Sequence, residues 1–314
     1  MTAANPRLDE PGAGGSSTLT AKKRESRVAW AFSTPALILL AAFIVLPFLL
    51  AFILSFTNQR LISPLPTRFV ALDNYVDTLS SPTFWKAFFN NVWFVIIVVP
   101  VQTVFALWLA ILVNRKIPGR VFFRTVFFLP VVTVMAAAAV IWTLLFNANG
   151  LVNAVMEMVT FGAFTPDWLN DTTWALPAVM IVGIWQGVGF QMIILLAALQ
   201  DVPEVLYEAA SIDGASRWGQ FKNVTLPGIR NGLIFVITVT TIFAFRLFDQ
   251  VNIMPRIPGG PLDSTRTMML ELVETGYTKQ AIGRGAAIAI IFFVIVLTMT
   301  LIQRRFIKEE GEVT

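Results

Sequence analysis

The feature that most limits how this chain can fold is the recurrence of apolar segments long enough to cross a lipid bilayer. Only 13% of its 314 residues are charged and 56% are hydrophobic, whereas an average soluble domain has roughly 25% charged residues. About 20 consecutive apolar residues cross a hydrocarbon core of about 30 Å as a helix. The sequence therefore predicts an all-α, polytopic membrane protein.

Six transmembrane helices are predicted from these segments, at residues 28–56, 91–113, 121–146, 174–199, 228–248 and 281–302. Together they form one predicted transmembrane domain, residues 28–307. Residues 1–27 are polar, glycine-rich and basic near their end, so they are predicted to be a disordered tail. A further short helix, Thr267 to Tyr277, is predicted to lie on the surface between the last two spans.

A dense polar segment, the 201–227 loop, connects the fourth and fifth predicted spans. Asp201 and Glu204 have the spacing of a capping box, and apolar residues then recur at helical spacing up to Ile212. The pair Asp213-Gly214 is predicted to break this helix, because glycine takes the left-handed conformation that a tight corner needs.

The second half of the 201–227 loop is predicted to form another short helix, Ala215 to Phe221, and to end at Leu226-Pro227. Two short helices around a glycine corner would make a rigid docking surface. The alternative interpretation is an ordinary amphipathic hairpin at the membrane interface.

The sequence EAASIDGASRWGQFKNVTLP in this loop resembles the EAA loop of ABC importer permeases. Its details IDGA and TLP resemble the carbohydrate-uptake branch, although Thr225 stands where the family pattern has a hydrophobic residue. The resemblance implies that this loop is a cytoplasmic coupling helix that seats in a separate ATPase. The residues that carry it are Glu208, Ala209, Ala210, Asp213, Gly214, Ala215, Phe221, Leu226 and Pro227.

A more diffuse resemblance, over about residues 72–305, is to the first permease subunit of maltose and glycerol-phosphate importers. It implies a permease subunit that works by alternating access in a bacterial or archaeal cell membrane. The implied partners are a second permease subunit, an ABC ATPase dimer and an extracytoplasmic substrate-binding protein. The implied substrate is a sugar or oligosaccharide, with a glycerophosphate ester as the alternative. The chain would then be non-catalytic and hold no cofactor, since ATP and Mg²⁺ bind to the ATPase.

The basic residues are distributed unevenly between the two sides of the predicted membrane domain. Fifteen of the 23 Lys and Arg residues fall on the side that carries both termini and the 201–227 loop, and eight on the other side. Cytoplasmic loops carry the excess of Lys and Arg, so both termini and the loop are predicted to be cytoplasmic. Because these charges lie at the ends of apolar segments, they indicate membrane orientation and not binding to nucleic acid.

The chain lacks the residues on which most catalytic and metal sites depend. It contains no Cys and no His, so no catalytic or metal site is predicted. It has no G-x-x-x-x-G-K-[ST] motif, so energy for transport must come from another polypeptide. No acidic residue lies in the middle of a predicted span, which disfavours a proton-coupled secondary transporter. Sodium coupling and a non-transporting scaffold or sensor stay open as alternatives.

Uncharged polar and aromatic residues inside the spans are candidates for a substrate pathway. A buried amide is costly in hydrocarbon unless it finds a partner or water, and amides beside aromatic rings suit the hydroxyls and apolar faces of a sugar. The alternative is hydrogen bonding between helices, which the spacing of Gly183 and Gly187 favours. The predicted pathway residues are Gln102, Trp185, Gln186, Phe190, Gln191 and Thr241.

Two charged residues, Arg246 and Asp249, lie near the outer end of the fifth predicted span. Three positions apart on a helix, they would share a face and pair with each other. They are also predicted to line the outer mouth of the pathway. The alternative is a pair that extends to the membrane interface.

Overall fold

The computed structural model describes residues 15–62, 66–115 and 118–308, without the side chains of residues 15–27, 304 and 306–308. Its regular structure is helical, which confirms the predicted fold class, and one antiparallel bridge joins Thr57 to Phe69 within this described part. Residues 1–14 of the predicted disordered tail lie outside the described residues. Helix α1 begins at Gly15, so the rest of that tail is helical and the prediction of disorder is wrong there.

The helices follow one another as α1 (Gly15–Leu40), α2 (Leu46–Leu54), α3 (Asp73–Leu79), α4 (Pro82–Asn114), α5 (Arg120–Val132), α6 (Met135–Leu145), α7 (Leu151–Thr160), α8 (Ala175–Gln200), α9 (Glu204–Ile212), α10 (Arg217–Gln220), α11 (Leu226–Gly228), α12 (Arg230–Phe245), α13 (Asp249–Ile253), α14 (Met268–Val273) and α15 (Ile282–Lys308). π-helical turns at Ala41–Val45, Phe221–Thr225 and Glu274–Thr278 continue α1, α10 and α14, and a 3₁₀ turn occupies Pro261–Asp263.

The chain divides into two compact units, residues 1–53 and residues 54–314. In the first unit, the side chains of residues 28–50 are all exposed, as expected for a single apolar helix whose surface faces lipid. The second unit contains α3 to α15 and all of the buried core.

Within the described residues, five segments are long and apolar enough to cross a membrane: Val28–Leu54, Pro82–Asn114, Ala175–Gln200, Arg230–Ile253 and Ile282–Gln303. A sixth crossing is available if α5 and α6 count as one span, although they meet at a bend of 99°. These segments correspond to the six predicted spans. The second is longer than predicted, because its helix already begins at Pro82.

The predicted third span, residues 121–146, is broken and not continuous. Pro130 cannot donate a backbone hydrogen bond inside α5, and the backbone then becomes extended at Thr133 and Val134. The Thr133 hydroxyl donates to the carbonyl oxygen of Pro130 at 2.6 Å. This contact satisfies one of the backbone groups that the break exposes.

The centre of the second unit is the packing of α4 along α8, with α5 and α12 against them. Phe94 and Val98 of α4 are buried in one cluster with Val182 of α8. Further along the same helices, Leu109 and Met192 belong to a second cluster. The long apolar segments thus bury one part of their surface against each other and leave the rest for lipid.

The segment around α14 is buried, so the prediction of a surface helix at Thr267 to Tyr277 is wrong. Met268 and Leu270 are both fully buried, and α14 packs on α4 and α15. The Thr267 hydroxyl accepts from the backbone N–H of Leu270 at 3.3 Å and starts the helix. Periodicity predicted a helix here but not which neighbours cover it.

At Gly189, α8 lies directly against the backbone of α5. A methyl group added there would lie 2.2 Å from the carbonyl oxygen of Phe127, which is backbone and cannot swing aside. We predict that Gly189→Ala lowers the stability by about 1–3 kcal/mol, measured by thermal unfolding in detergent. Gly219→Ala is the control, because its methyl group would meet nothing closer than 3.5 Å. Equal melting temperatures for the two variants would contradict the close approach.

Candidate functional site

A cavity of about 370 Å³ opens between α4, α8, α12 and α13. Its volume is within the range of roughly 300–1,000 Å³ that is typical of small-molecule sites. Much of its wall is apolar and includes the rings of Phe94, Phe190 and Phe243. Its larger polar side chains are Gln102, Gln186, Arg246, Asp249 and Gln250.

Two amides on the cavity wall are buried without a protein partner. Gln102 is 4% exposed and Gln250 is 8% exposed, yet neither side chain makes a hydrogen bond within the described part of the chain. An unpaired amide in hydrocarbon would cost free energy, whereas an amide that borders a cavity can bond to water or to a ligand there. Both amides line the cavity, so their unused donors and acceptors are available to whatever fills it.

Glycines of α8 let α4 approach the cavity. A methyl group at Gly187 would lie 2.4 Å from Nε2 of Gln102, and one at Gly183 would lie 3.0 Å from the ring of Phe94. The two glycines therefore form notches for these α4 side chains, as their spacing predicted for helix packing. Gln102 of α4 and Gln186 of α8 both line the cavity.

Gln186 both lines the cavity and joins two helices. Its Nε2 donates to the backbone carbonyl oxygen of Thr133 at 3.4 Å, at the break between α5 and α6. Gln186 can therefore be a pathway contact and a contact between helices at the same time.

Three of the predicted pathway residues do not line the cavity. Trp185 packs beside the cavity and not in its wall, with its ring 5.4 Å from that of Trp142. Gln191 is fully buried, and its Nε2 donates to the Thr240 hydroxyl at 2.5 Å. Thr241 accepts from Gln303 at 3.0 Å. Since successive helical residues are about 100° apart, neighbours such as Trp185 and Gln186 face different surroundings.

Arg246 and Asp249 line the cavity but do not share a helical face. Helix α12 ends at Phe245, and Phe248 has a non-helical backbone (φ −138°, ψ −60°) before α13 begins at Asp249. No ion pair joins Arg246 to Asp249 in the described structure. The predicted pairing on one helix is wrong because the helix ends between them, whereas the predicted position at the pathway is compatible with the cavity.

Side chains from other elements satisfy the broken end of α12. Nδ2 of Asn91 lies 3.5 and 3.3 Å from the carbonyl oxygens of Ala244 and Phe245, and its Oδ1 accepts from the backbone N–H of Met268 at 2.8 Å. The Thr267 hydroxyl donates to the carbonyl oxygen of Leu247 at 2.9 Å. A helix end leaves its last carbonyls unpaired, so these contacts hold the corner that carries Arg246 to Gln250.

A cluster of charges that sequence reasoning missed anchors the segment after this corner. The guanidinium of Arg266 contacts Asp263 at 2.7 Å, Glu271 at 2.8 Å and Glu274 at 2.6 Å, and Lys279 lies 3.6 Å from Glu271. Burial alone would lower the pKa of Arg266, but hydrogen bonds and charges from Glu274 and Asp263 outweigh it and raise that pKa. The alternation of Arg, Asp and Glu over residues 263–274 was the available signal.

Gln250 is the other residue that sequence reasoning missed. It follows Asp249 directly, beyond the end of α12, where neither span periodicity nor a motif marks it. Its position on the cavity wall results from the corner between α12 and α13.

The 201–227 loop folds as two helical pieces around a glycine corner, as predicted. Gly214 has φ +76° and separates α9 from α10. The Ser216 hydroxyl accepts from the backbone N–H of Gly219 at 3.2 Å and starts α10. The hydroxyls of Tyr207 and Thr225 lie 3.0 Å apart and join the two pieces.

Both predicted ends of the 201–227 loop differ from the structure. Pro203 precedes α9 and no side chain caps that helix, so the capping box of Asp201 and Glu204 is not formed. Pro203 fixes an extended backbone at this position instead. Leu226-Pro227 does not end the second piece, because the helix continues through α11 and bends only at Ile229.

The predicted coupling residues lie on the outside of this loop. Glu208, Ala209, Asp213, Gly214, Leu226 and Pro227 are exposed, and Ala210, Ala215 and Phe221 are half-buried. Large apolar side chains are exposed among them, with Ile212 86% and Trp218 71% accessible. Exposed apolar groups on a compact, polar segment are typical of a protein-binding surface.

Comparison with known families accounts for this combination of spans, cavity and loop. Residues 17–309 match the family described as binding-protein-dependent transport system inner membrane component. The chain belongs to this family. It is therefore a multi-pass membrane protein of the permease type, as the resemblance implied, and the secondary-transporter alternative falls away.

Similar permeases match along nearly their whole length. A trehalose/maltose transport system permease protein of Thermococcus litoralis is 34% identical over 283 residues, 90% of this chain and 94% of that protein. A lactose transport system permease protein of Rhizobium radiobacter is 31% identical over 276 residues, with coverages of 87% and 92%. A probable ABC transporter permease of Bacillus subtilis is 32% identical over 288 residues, with coverages of 91% and 97%.

Solved structures support the permease fold. A chain in the crystal structure of a bacterial alginate ABC transporter, in complex with an alginate pentasaccharide-bound periplasmic protein, aligns with a TM-score of 0.80. The alignment covers 93% of this chain and 98% of that chain at 19% identity. At this identity the likeness shows the fold alone.

We predict that Asn91→Leu lowers the stability of the permease by about 2 kcal/mol or more, because it leaves buried backbone groups of α12 and α14 unpaired. Thermal unfolding in detergent measures the effect. Thr103→Val, on the same helix, is the matched control: its hydroxyl is also buried but has no partner, so its replacement should leave the melting temperature unchanged or raise it. A neutral Asn91→Leu would contradict the assigned role in holding the corner.

Proposed function

We propose that this chain is the non-catalytic permease subunit of an ATP-driven importer that takes up a sugar or oligosaccharide. Its partners would be a second permease subunit, an ABC ATPase dimer that binds ATP and Mg²⁺, and an extracytoplasmic substrate-binding protein. The complex would work by alternating access in the cell membrane of a bacterium or archaeon. Both termini and the 201–227 loop would be cytoplasmic, in accord with the distribution of Lys and Arg.

The names of the similar permeases support a sugar as the substrate class. They include transporters of trehalose and maltose, of lactose and of arabinooligosaccharides. The sequence identities of 31–34% extend over most of each chain and so include the helices that line the cavity.

The observation that carries the proposal is the pair of unpartnered amides, Gln102 and Gln250, in a cavity with aromatic walls. Each amide offers two donors and an acceptor oxygen, which matches the hydroxyl groups of a sugar. The rings of Phe94, Phe190 and Phe243 offer flat apolar surface to the C–H faces of the same molecule. A lipid-filled cleft would not need these amides, since hydrocarbon cannot form hydrogen bonds with them.

A glycerophosphate ester is the second candidate substrate, because Arg246 lines the cavity and makes no ion pair in the described structure. Arginine binds phosphate well. Asp249 lines the same cavity, however, and its negative charge disfavours an anion. A neutral sugar fits the combined set of charges and amides better.

The exposed surface of the 201–227 loop is the proposed contact with the ATPase. Glu208 is exposed and has no ion-pair partner among the described residues. It therefore presents a free negative charge beside the exposed apolar side chains of Ile212 and Trp218. A partner cleft with an apolar floor and a basic rim would complement this surface.

The test of the proposed function is purification of the affinity-tagged chain from its native membrane, followed by ATPase assays of the assembled complex. A second permease and an ATPase should co-purify. The ATPase rate should rise with a loaded binding protein when a panel of sugars and glycerophosphate esters is screened. Recovery of the chain without an ATPase, from membranes that transport sugar normally, would overturn the proposal.

We predict that Gln102→Leu and Gln250→Leu each raise the transport KM several-fold, because each removes hydrogen bonds worth on the order of 1 kcal/mol from the bound substrate. Their melting temperatures should stay unchanged or rise, since neither amide has a protein partner to lose. Asn153→Leu is the control, a buried amide bonded to Trp168 and off the cavity wall: it should lower the melting temperature and leave KM unchanged. Unaltered KM in both cavity variants would exclude the cavity as the substrate site.

We predict that Gly214→Leu reduces transport per ATP hydrolysed while membrane insertion stays normal. The position has φ +76° with no neighbouring atom within 4 Å, so the cost, roughly 1–2 kcal/mol, arises from the left-handed backbone itself. Gly214→Asn is the control, because asparagine tolerates this conformation and should retain most of the coupling. Parallel assays of uptake and ATP hydrolysis in proteoliposomes decide it. Normal coupling in the Leu variant would refute the role of the glycine corner.

A further inference from the structure

Helix α7 has an apolar stripe that no part of the described structure covers. Four large apolar side chains, Leu151, Val155, Met158 and Val159, are exposed. At 100° per residue they fall within one continuous strip of the helix surface. Met158 is 77% exposed, so this strip is open and not a shallow groove between neighbours.

The opposite side of α7 is fixed to the protein. Val152 and Met156 pack against the main core cluster. Oδ1 of Asn153 accepts from Nε1 of Trp168 at 2.8 Å, and its Nδ2 donates to the carbonyl oxygens of Ala148 and Pro166 at 3.1 and 3.2 Å. The helix therefore cannot roll over to bury its exposed stripe, so something outside the chain must cover it.

Phe161, directly after α7, is an exposed aromatic residue with an unusual backbone conformation. It has φ +53° and is 96% exposed. A bulky side chain rarely adopts this left-handed conformation, and glycine is the usual residue after a helix end. In water, an exposed phenylalanine ring gives no favourable free energy that would offset a strained backbone conformation. An aromatic ring gains free energy where hydrocarbon meets the polar headgroups.

The position of α7 along the chain points to the membrane as the covering surface. It follows α6, the second half of the bent span, after a short turn at residues 146–150. Ile141 and Leu144 of α6 are also exposed, so apolar surface is open to the surroundings both on the span that precedes the turn and on α7 after it. The one charged residue of α7, Glu157, lies away from the stripe.

We propose that α7 and Phe161 form an interfacial anchor, with Leu151, Val155, Met158 and Phe161 inserted into the membrane at its boundary with water. The anchor holds by apolar burial and not by charge, because α7 carries no Lys or Arg. An amphipathic helix of this kind inserts its apolar face about 5–10 Å into the boundary between headgroups and acyl chains. It thereby fixes the end of the bent span α5–α6 relative to the bilayer.

Fluorescent labels at single cysteines test this anchor. The native chain has no Cys, so Val155→Cys, Met158→Cys and Phe161→Cys can each be labelled without removing other thiols. The full-length chain is placed in phosphatidylcholine nanodiscs, with either ordinary or brominated acyl chains, alone and with its co-purified partner subunits. Glu157→Cys, on the same helix, is the matched control.

We expect brominated lipid to quench the labels at the three apolar positions more strongly than the label at position 157, and aqueous iodide to show the reverse order. The pattern should be the same with and without partner subunits. Iodide quenching at Met158→Cys equal to that at Glu157→Cys would overturn the proposal. Loss of lipid quenching when the partner subunits are present would also overturn it, since the stripe would then be a protein interface.

Discussion

The close contact between α4 and α8 is the interaction on which the rest of this structure depends. It is possible only because α8 has glycines where α4 presents large side chains, the ring of Phe94 against Gly183 and the amide of Gln102 against Gly187. Inside a membrane, an amide carried to such a place must find a partner or water. The described structure gives Gln102 no partner and a cavity on its open side. The polarity of the cavity is therefore a product of helix packing as well as of the residues that line it.

The second constraint is that α12 ends within its own span, where unpaired backbone carbonyls are costly. Asn91 from α4 and Thr267 before α14 supply the missing donors, and both side chains are buried. Arg266 fixes the segment around Thr267 through its contacts with three carboxylates. Without these contacts the unpaired carbonyls would favour continuation of α12 as a regular helix. Gln250 would then not reach the cavity. A buried polar network here stabilises an irregular backbone, and the irregular backbone completes the site.

Hydropathy and glycine chemistry predicted the features that depend on local sequence. The long apolar segments gave the spans, and Gly214 gave the corner of the 201–227 loop. Rotational position and tertiary cover are not local: Trp185 and Gln191 are pathway candidates in sequence because they are an aromatic and an amide side chain inside a span, but each contacts a different neighbour from Gln186. The burial of α14 depends on partners far away in sequence. The third span was predicted as continuous although it contains Pro130, because a proline alone does not distinguish a tolerated kink from the bend of 99° between α5 and α6.

Two helices, α8 and α12, connect the 201–227 loop directly to the cavity. Helix α8 lines the cavity at Gln186 and leads directly into the loop, and α12 leaves the loop and lines the cavity at Phe243. At the base of the loop, the two helices touch so closely that a methyl group at Gly232 would lie 2.7 Å from Cβ of Ala198. Helices packed to this distance resist sliding, because interiors at close-packed density transmit displacement. A movement of the loop would then move the cavity walls formed by α8 and α12 together, and α5 would follow α8, because it is held against Gly189. The polar corner at Arg246 to Gln250 lies at the far end of α12 from the loop, where a tilt of that helix about its loop end displaces side chains most. A tilt of α12 about its contact at Gly232 would therefore displace Gln250 relative to Gln102 of α4 while the packing at the base is kept.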